Sequence, residues 1–255
     1  MAMILAWPGA IAIGLSLGLL GSGGSILTVP VLVYLVGQEE RLAIAGSLAV
    51  VGMIAAAGAL PYLRDRLVHW RSVWLFGLPG MLGTYAGAWS SVFVSGTVQL
   101  AAFAVVMVIA SYFMLRKACP EPVEGERAMG KIAAEGLVVG VVTGFVGVGG
   151  GFLVVPALVL LGGLSMHQAV PTSLVIIALK SATGFYKYTE VLEAENLTLD
   201  WAVIGIVTSL GIIGSFAGSS LAVRLPQDTL KRYFGWFLVG MGAFILYRSV
   251  PALFA

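Results

Sequence analysis

The sequence predicts an all-α polytopic membrane protein built from two inverted copies of one hydrophobic unit. Three observations lead there: an apolar composition, an internal repeat, and basic residues crowded into alternate loops. Of 255 residues, 59% are hydrophobic and only 10% charged, whereas an ordinary soluble domain carries about 25% charged residues. So little polar surface cannot cover the chain in water, and lipid must solvate much of it. The net charge of +2 is small and dispersed, and no basic stripe interleaved with aromatics marks a nucleic-acid partner. The single cysteine, Cys119, cannot close an internal disulfide and has no ligand-type companions nearby. No Lys or Arg precedes the first apolar run, which leads into a Gly-rich element repeated later. It therefore reads as part of the mature protein rather than as a secretory signal.

The repeat appears when the sequence is slid against itself by 126 residues, which sets Gly18, Gly21, Gly23, Gly24, Leu27, Val29 and Pro30 on Gly144, Gly147, Gly149, Gly150, Leu153, Val155 and Pro156. The register runs on: Gly37 meets Gly163, Ala43 meets Ala169, Ser47 meets Ser173 and Gly58 meets Gly184. A longer loop in the second copy then moves the offset to 131, where Trp70, Gly80, Gly83 and Gly87 meet Trp201, Gly211, Gly214 and Gly218. One register held so far marks a duplication. The chain divides into a first repeat at 1–115, a cytoplasmic linker at 116–131 with Pro120 and Pro122, and a second repeat at 132–255.

Each copy holds five apolar segments, about 3–20, 25–37, 41–60, 70–91 and 97–115, then about 132–146, 151–163, 167–186, 201–222 and 231–250. The expectation is about 8–10 helical segments, three of them crossing in each repeat, since a crossing needs about 20 residues. The second segment of each copy is too short and contains Pro30 or Pro156, a residue best tolerated in a first helical turn. Gly21–Val29 and Gly147–Val155 are accordingly expected as partly unwound backbone in a re-entrant or broken-helix hairpin.

With the first two segments as a hairpin, one side receives ten of the fourteen Lys and Arg, among them Arg64, Arg66, Arg71, Lys131, Arg224 and Arg232. The other keeps Arg41, Lys187 and Arg248 beside Glu39, Glu40, Glu190, Glu193, Glu195 and Asp200. The basic side is cytoplasmic, which places both termini outside and, with three crossings per copy, inverts one copy relative to the other. Trp70, Trp74 and Trp201 fall at segment ends, as interfacial anchors do. The 187–200 stretch reads as an acidic external loop, in which Asn196-Leu197-Thr198 fits a glycosylation acceptor pattern.

The chemistry concentrates in Gly21-Ser22-Gly23-Gly24-Ser25 and Gly147-Val148-Gly149-Gly150-Gly151. Non-helical backbone inside a membrane survives only where protein or a water-filled cavity satisfies it. Glycines expose N–H groups without side-chain obstruction, and helices beginning near Pro30 and Pro156 would add the positive ends of their dipoles. Inversion would bring one such element from each face to meet near the midplane, where inverted-repeat transporters hold anionic groups. The competing reading is close helix packing by small residues. The Lys-Ser/Thr ending of a phosphate-binding loop is absent.

This motif, Gly-x-Gly-Gly-Gly/Ser with a proline five residues on, duplicated in a chain of this length, resembles the TauE/SafE family of sulfite exporters and sulfonate permeases. The resemblance runs over roughly 10–250 and implies movement of small sulfur-containing anions such as sulfite or sulfoacetate. The family motif falls on Gly21, Gly23, Gly24, Ser25 and Pro30, then on Gly147, Gly149, Gly150, Gly151 and Pro156. Ser25 stands where the second copy has Gly151, so unequal contributions from the two halves are expected.

Lys180 is the one basic residue placed inside a crossing, and intramembrane charge by default points to function. It lies two helical turns after Ser173, so both can face one cavity, where Lys180 would attract the anion or exchange a proton; snorkelling towards the interface is the plain alternative. Its counterpart in the first copy is Ile54. Ser47, Thr172 and Ser173 are candidate donors to an oxyanion, against the commoner role of hydroxyls bonded to their own helix. Glu135 pairs by spacing with Lys131. His69 and His167 are placed in loops, and their spacing supports no metal site. No cofactor signature and no nucleophile–base constellation occurs, which argues against an enzyme. The function predicted is a secondary transporter for a small anion in the inner membrane of a bacterium or archaeon, with a passive anion channel or a carboxylate carrier as alternatives. A coupling proton or cation, import or export, and a monomeric or homodimeric assembly are left open.

Overall fold

The computed structural model describes residues 2–21, 23–115, 129–146, 151–222 and 224–253, and these hold helices and no strand. The first half contributes α1 (Ala2–Leu20), α2 (Gly23–Pro30, prolonged by a π-helical Val31–Val36) and α3 (Glu40–Arg64). It continues with α4, residues 70–90 with a π-helical stretch at Val73–Gly77, and α5 (Gly96–Leu115). The second half contributes α6 (Met129–Val146), α7 (Gly151–Pro156, prolonged by Ala157–Leu161), α8 (Met166–Ala194), α9 (Trp201–Ala222) and α10 (Gln227–Leu253). Four of these, α3, α6, α8 and α9, are by length and composition sufficient to cross a membrane. Equivalent positions such as Leu82 and Ile213 present 71% and 65% of their surface outward, which is what a lipid-facing side chain does.

Two segments depart from expectation. Helix α2 starts at Gly23, so Pro30 lies inside it rather than at its beginning. A proline there removes one i→i−4 bond. The chain absorbs the loss by widening into π-helix directly after Pro30, and again after Pro156. After these two stretches the chain turns through a glycine with positive φ, Gly37 at 80° and, one residue past Gly162, Gly163 at 68°. Helix α8 runs to Ala194, so Lys187, Glu190 and Glu193 lie on helix rather than loop. No glycine or proline interrupts that turn, and Lys187 pairs with Glu190 at i,i+3.

The packing is symmetric under exchange of the halves. Helix α1 packs on α9 as α6 packs on α4, α3 on α9 as α8 on α4, while α3 meets α8, α5 meets α10 and α2 meets α7. Each half thus lays its first helix on the other half's fourth. Both crossings are lined with glycine. A Cβ on Gly14 would lie 1.8 Å from the Gly211 carbonyl oxygen, and one on Gly218 2.2 Å from that of Leu15. At the matching crossing a Cβ on Gly140 would lie 2.3 Å from the Gly80 oxygen, and one on Gly87 2.1 Å from that of Val141. Lipid supplies no hydrophobic drive between helices, so backbone-to-backbone approach of this kind is what holds them.

Candidate functional site

The first Gly-rich turn closes α1. Gly21 has φ 72°, a conformation that favours glycine, and its N–H donates to the Leu17 oxygen at 2.8 Å. The other half grips this turn: Ser173 Oγ on α8 lies 3.1 Å from the Gly21 oxygen and 2.8 Å from the Val170 oxygen, able to donate to either. A Cβ on Gly21 would meet Ser173 Oγ at 2.7 Å and Val170 Cα at 2.9 Å. Gly23 and Gly24 open α2 and face α1, where a Cβ on Gly24 would lie 2.5 Å from the Ile13 oxygen. They allow close packing on α1, the competing reading of these glycines, and stand at the N-terminal end of α2. Ser25 follows, fully buried.

This turn lies towards the end of α8 that begins at Met166. Val170, against which it packs, lies only four positions into α8, about 6 Å along the helix. The N-terminal end of α2 also falls at Gly23 rather than at Pro30, which moves its dipole onto the Gly-rich motif. A cavity of about 240 Å³ opens beside the turn, lined by Tyr62, Leu67, Met166, His167, Val170 and Pro171, with Ala222. Val170 belongs to both, so the cavity lies next to the residue that packs on Gly21, at the end where α3 finishes and α8 begins. His167 lies in the first turn of α8, not in a loop. His69 caps α4, its Nδ1 accepting from the Ser72 N–H at 3.3 Å and lying 2.9 Å from Ser72 Oγ.

Lys180 lies halfway along α8 and is wholly buried at 0% exposure, so it does not snorkel. Its stem crosses Gly80 of α4, where a Cβ would meet Lys180 Cδ at 3.3 Å, and its Nζ donates to Thr143 Oγ1 of α6 at 3.1 Å. Thr143 in turn donates to the Val139 oxygen at 2.7 Å, which orients its lone pairs towards the amine. Ser173 and Lys180 thus serve different neighbours, one the Gly21 turn and the other the α4/α6 crossing, and Lys180 does not line the 240 Å³ cavity.

Of the remaining candidates, Ser47 is buried and donates to the Ile44 oxygen at 2.8 Å. Thr172 donates to the Gln168 oxygen and accepts from the His69 backbone N–H at 3.0 Å, tying the loop before α4 to α8 rather than facing the cavity. Gly151 begins α7. Ser22, Gly147, Val148, Gly149 and Gly150 lie outside the described residues. Among the described residues no group of His, Cys, Asp and Glu could hold a metal.

The opposite end is built differently. Arg41, at the start of α3, pairs with Glu195 at the end of α8 and donates to the Val94 oxygen at 3.3 Å. Thr97 Oγ1 donates to Glu40 at 3.0 Å. Together these bonds tie α3, α8 and the start of α5. Tyr188, 2% exposed, fills the space beneath them. Sequence reasoning passed over Arg41 and Glu195 because their partnership spans 154 positions; the one signal was two opposite charges at segment ends on the same side.

The sequence profile described as "Sulfite exporter TauE/SafE" matches residues 6–245. A "Probable membrane transporter protein" of Xylella fastidiosa strain 9a5c is 32% identical over 95% of this chain and 94% of its own length. The "Probable membrane transporter protein YunE" of Bacillus subtilis is 25% identical over 91% of this chain and 93% of its own length, and the "Probable membrane transporter protein MJ0441" of Methanocaldococcus jannaschii is 22% identical over 95% and 96%. These are names of transporters rather than of enzymes. No solved structure matches the chain. Helices of spanning length, a buried glycine-built turn beside a cavity, and a profile match over nearly the whole chain lead to one conclusion: this is a multi-pass membrane transporter belonging to the sulfite exporter TauE/SafE family.

Proposed function

We infer that the protein carries a small sulfur oxyanion, a sulfonate or sulfite, across the cytoplasmic membrane by alternating access between its two halves. The observation that carries this is the inequality of its two ends. At the basic end a cavity opens between α3, α8 and α9, beside the Val170 that packs on the Gly21 turn; at the acidic end polar bonds tie α3 to α8 and α5. A carrier resting in one of two states looks like this, whereas a channel needs a continuous path. The basic end is cytoplasmic by charge bias, so the state is inward-facing, the termini are outside and the two halves are inverted.

In this reading the anion meets the first N–H groups of α2 at Gly23, Gly24 and Ser25, where the helix dipole favours negative charge. By the repeat register Gly147–Gly151 is the counterpart of this element, and in the same half Lys180 and Thr143 contribute positive charge and a hydroxyl. Sulfur oxyanions suit such a donor set because several acceptor oxygens share one or two charges. The substrate class rests on the family, which takes its name from sulfite export.

The test is a thermal-shift panel of sulfite, sulfoacetate, taurine, isethionate, sulfate, acetate and chloride on purified protein, followed by uptake into proteoliposomes. Selective stabilisation by a sulfonate or sulfite, lost in Ser25→Leu, supports the reading. Stabilisation by acetate alone removes the substrate class and leaves the architecture.

A further inference from the structure

The repeat register identifies what should close the end that stands open. Arg41 corresponds to His167 at the offset of 126. The ends of α3 and α8 align by backbone geometry at an offset of 130. Helix α3 stops at Arg64, is capped by Asp65 and turns through Arg66 at φ 55°; α8 stops at Ala194, is capped by Glu195 and turns through Asn196 at φ 56°. The bonds that follow match as well, Leu67 N–H to the Tyr62 oxygen at 3.1 Å and Leu197 N–H to the Leu192 oxygen at 2.9 Å. Glu195 therefore corresponds to Asp65, and the counterpart of the Arg41–Glu195 ion pair is His167 with Asp65.

The two pairs are in opposite conditions. Arg41 and Glu195 are joined, with side chains 20% and 35% exposed. His167 and Asp65 are both exposed, no hydrogen bond or ion pair joins them among the described residues, and His167 lines the cavity. A protein made of two like halves reaches its second state when the halves exchange conformations. Resting on the alternating-access reading above, we propose that His167 and Asp65 form the gate of the basic end, closing by an imidazole N–H donating to the carboxylate when Arg41 and Glu195 separate. The basic-end gate is the weaker one. The Thr97–Glu40 bonds of the acidic end have no counterpart there, because Met166 stands in the place of Glu40. That accounts for which end is closed in the structure.

The experiment uses full-length protein carrying Cys119→Ser. The Asp65→Cys/His167→Cys pair is treated with a short bis-maleimide, with and without Arg41→Ala. Opening the acidic latch should raise cross-linking on the order of threefold to fivefold, the shift one exposed pair can carry. Independently, a Val170→Cys reporter at the cavity floor is labelled with a membrane-impermeant maleimide. Labelling should fall by a similar factor in His167→Arg, which copies the stronger residue of the other gate, and recover when Asp65→Asn is added. Cross-linking indifferent to Arg41→Ala, or labelling indifferent to His167→Arg, overturns the gate. Neither readout involves substrate, so failure of the sulfur-anion assignment would leave both results standing, and failure of the gate would leave anion binding standing.

Discussion

Where α9 crosses α1, Ile54 lies over Gly211, and where α4 crosses α6, Lys180 lies over Gly80; the two crossings share one glycine geometry and differ in what covers it. The positions are equivalent in the repeat, as are Leu17 and Thr143, and all four residues are fully buried. Since the first crossing packs with two apolar side chains, the fold does not require an amine and a hydroxyl in the second. A buried charge inside a membrane costs about 2.5–3.5 kcal/mol on insertion scales, and one hydrogen bond to Thr143 offsets only part of that. A cost borne in one copy and avoided in the other is what supports the proposed role of Lys180 in transport.

The comparison can be broken first at what the crossings share. Gly140→Leu and Gly211→Leu should each prevent folding, because a side chain would run into backbone or a packed neighbour. Gly205→Leu on α9, where a Cβ meets nothing within 4 Å, should not. Monodisperse yield on size-exclusion chromatography distinguishes them, and tolerance of Gly140→Leu would remove the packing account.

What the crossings do not share gives the next effect. Lys180→Ile should abolish uptake while raising the melting temperature, and Ile54→Lys should destabilise by about 3 kcal/mol. Thr143→Val, which strands the amine, should cost about 1–3 kcal/mol. That cost should vanish in the Lys180→Ile background, a coupling a double-mutant cycle reads directly. Smallest is Ser173→Ala, which gives up the bond to the Gly21 turn for about 1 kcal/mol and should loosen anion binding more than stability.

Much of this fold was legible because membrane helices announce themselves by length and the duplication repeats the announcement. Equivalent glycines fixed the segment boundaries, and charge bias separated the two ends. The start of α2 was misplaced because a proline normally opens a helix; only three-dimensional structure shows the backbone widening into π-helix to absorb it. The extra turns of α8 were hidden by charges that read as loop. Gly80, Gly83 and Gly87 were visible as a repeat, but nothing local says which helix they touch. For the candidate site residues, the sequence reading did not extend to their arrangement. Gly21 and Ser173 did meet, across 152 positions, whereas Thr172 turned to a loop and Lys180 to α6. Which hydroxyl faces a turn depends on helix rotation, which composition does not encode.

The most direct test of the account is counterflow uptake of a labelled sulfonate into proteoliposomes holding wild-type protein or Lys180→Ile. The account predicts saturable uptake accelerated by unlabelled sulfonate inside, and its loss in a variant that remains folded. Uptake by Lys180→Ile at the wild-type rate, or no accelerated exchange of any sulfur oxyanion by the wild type, would contradict it.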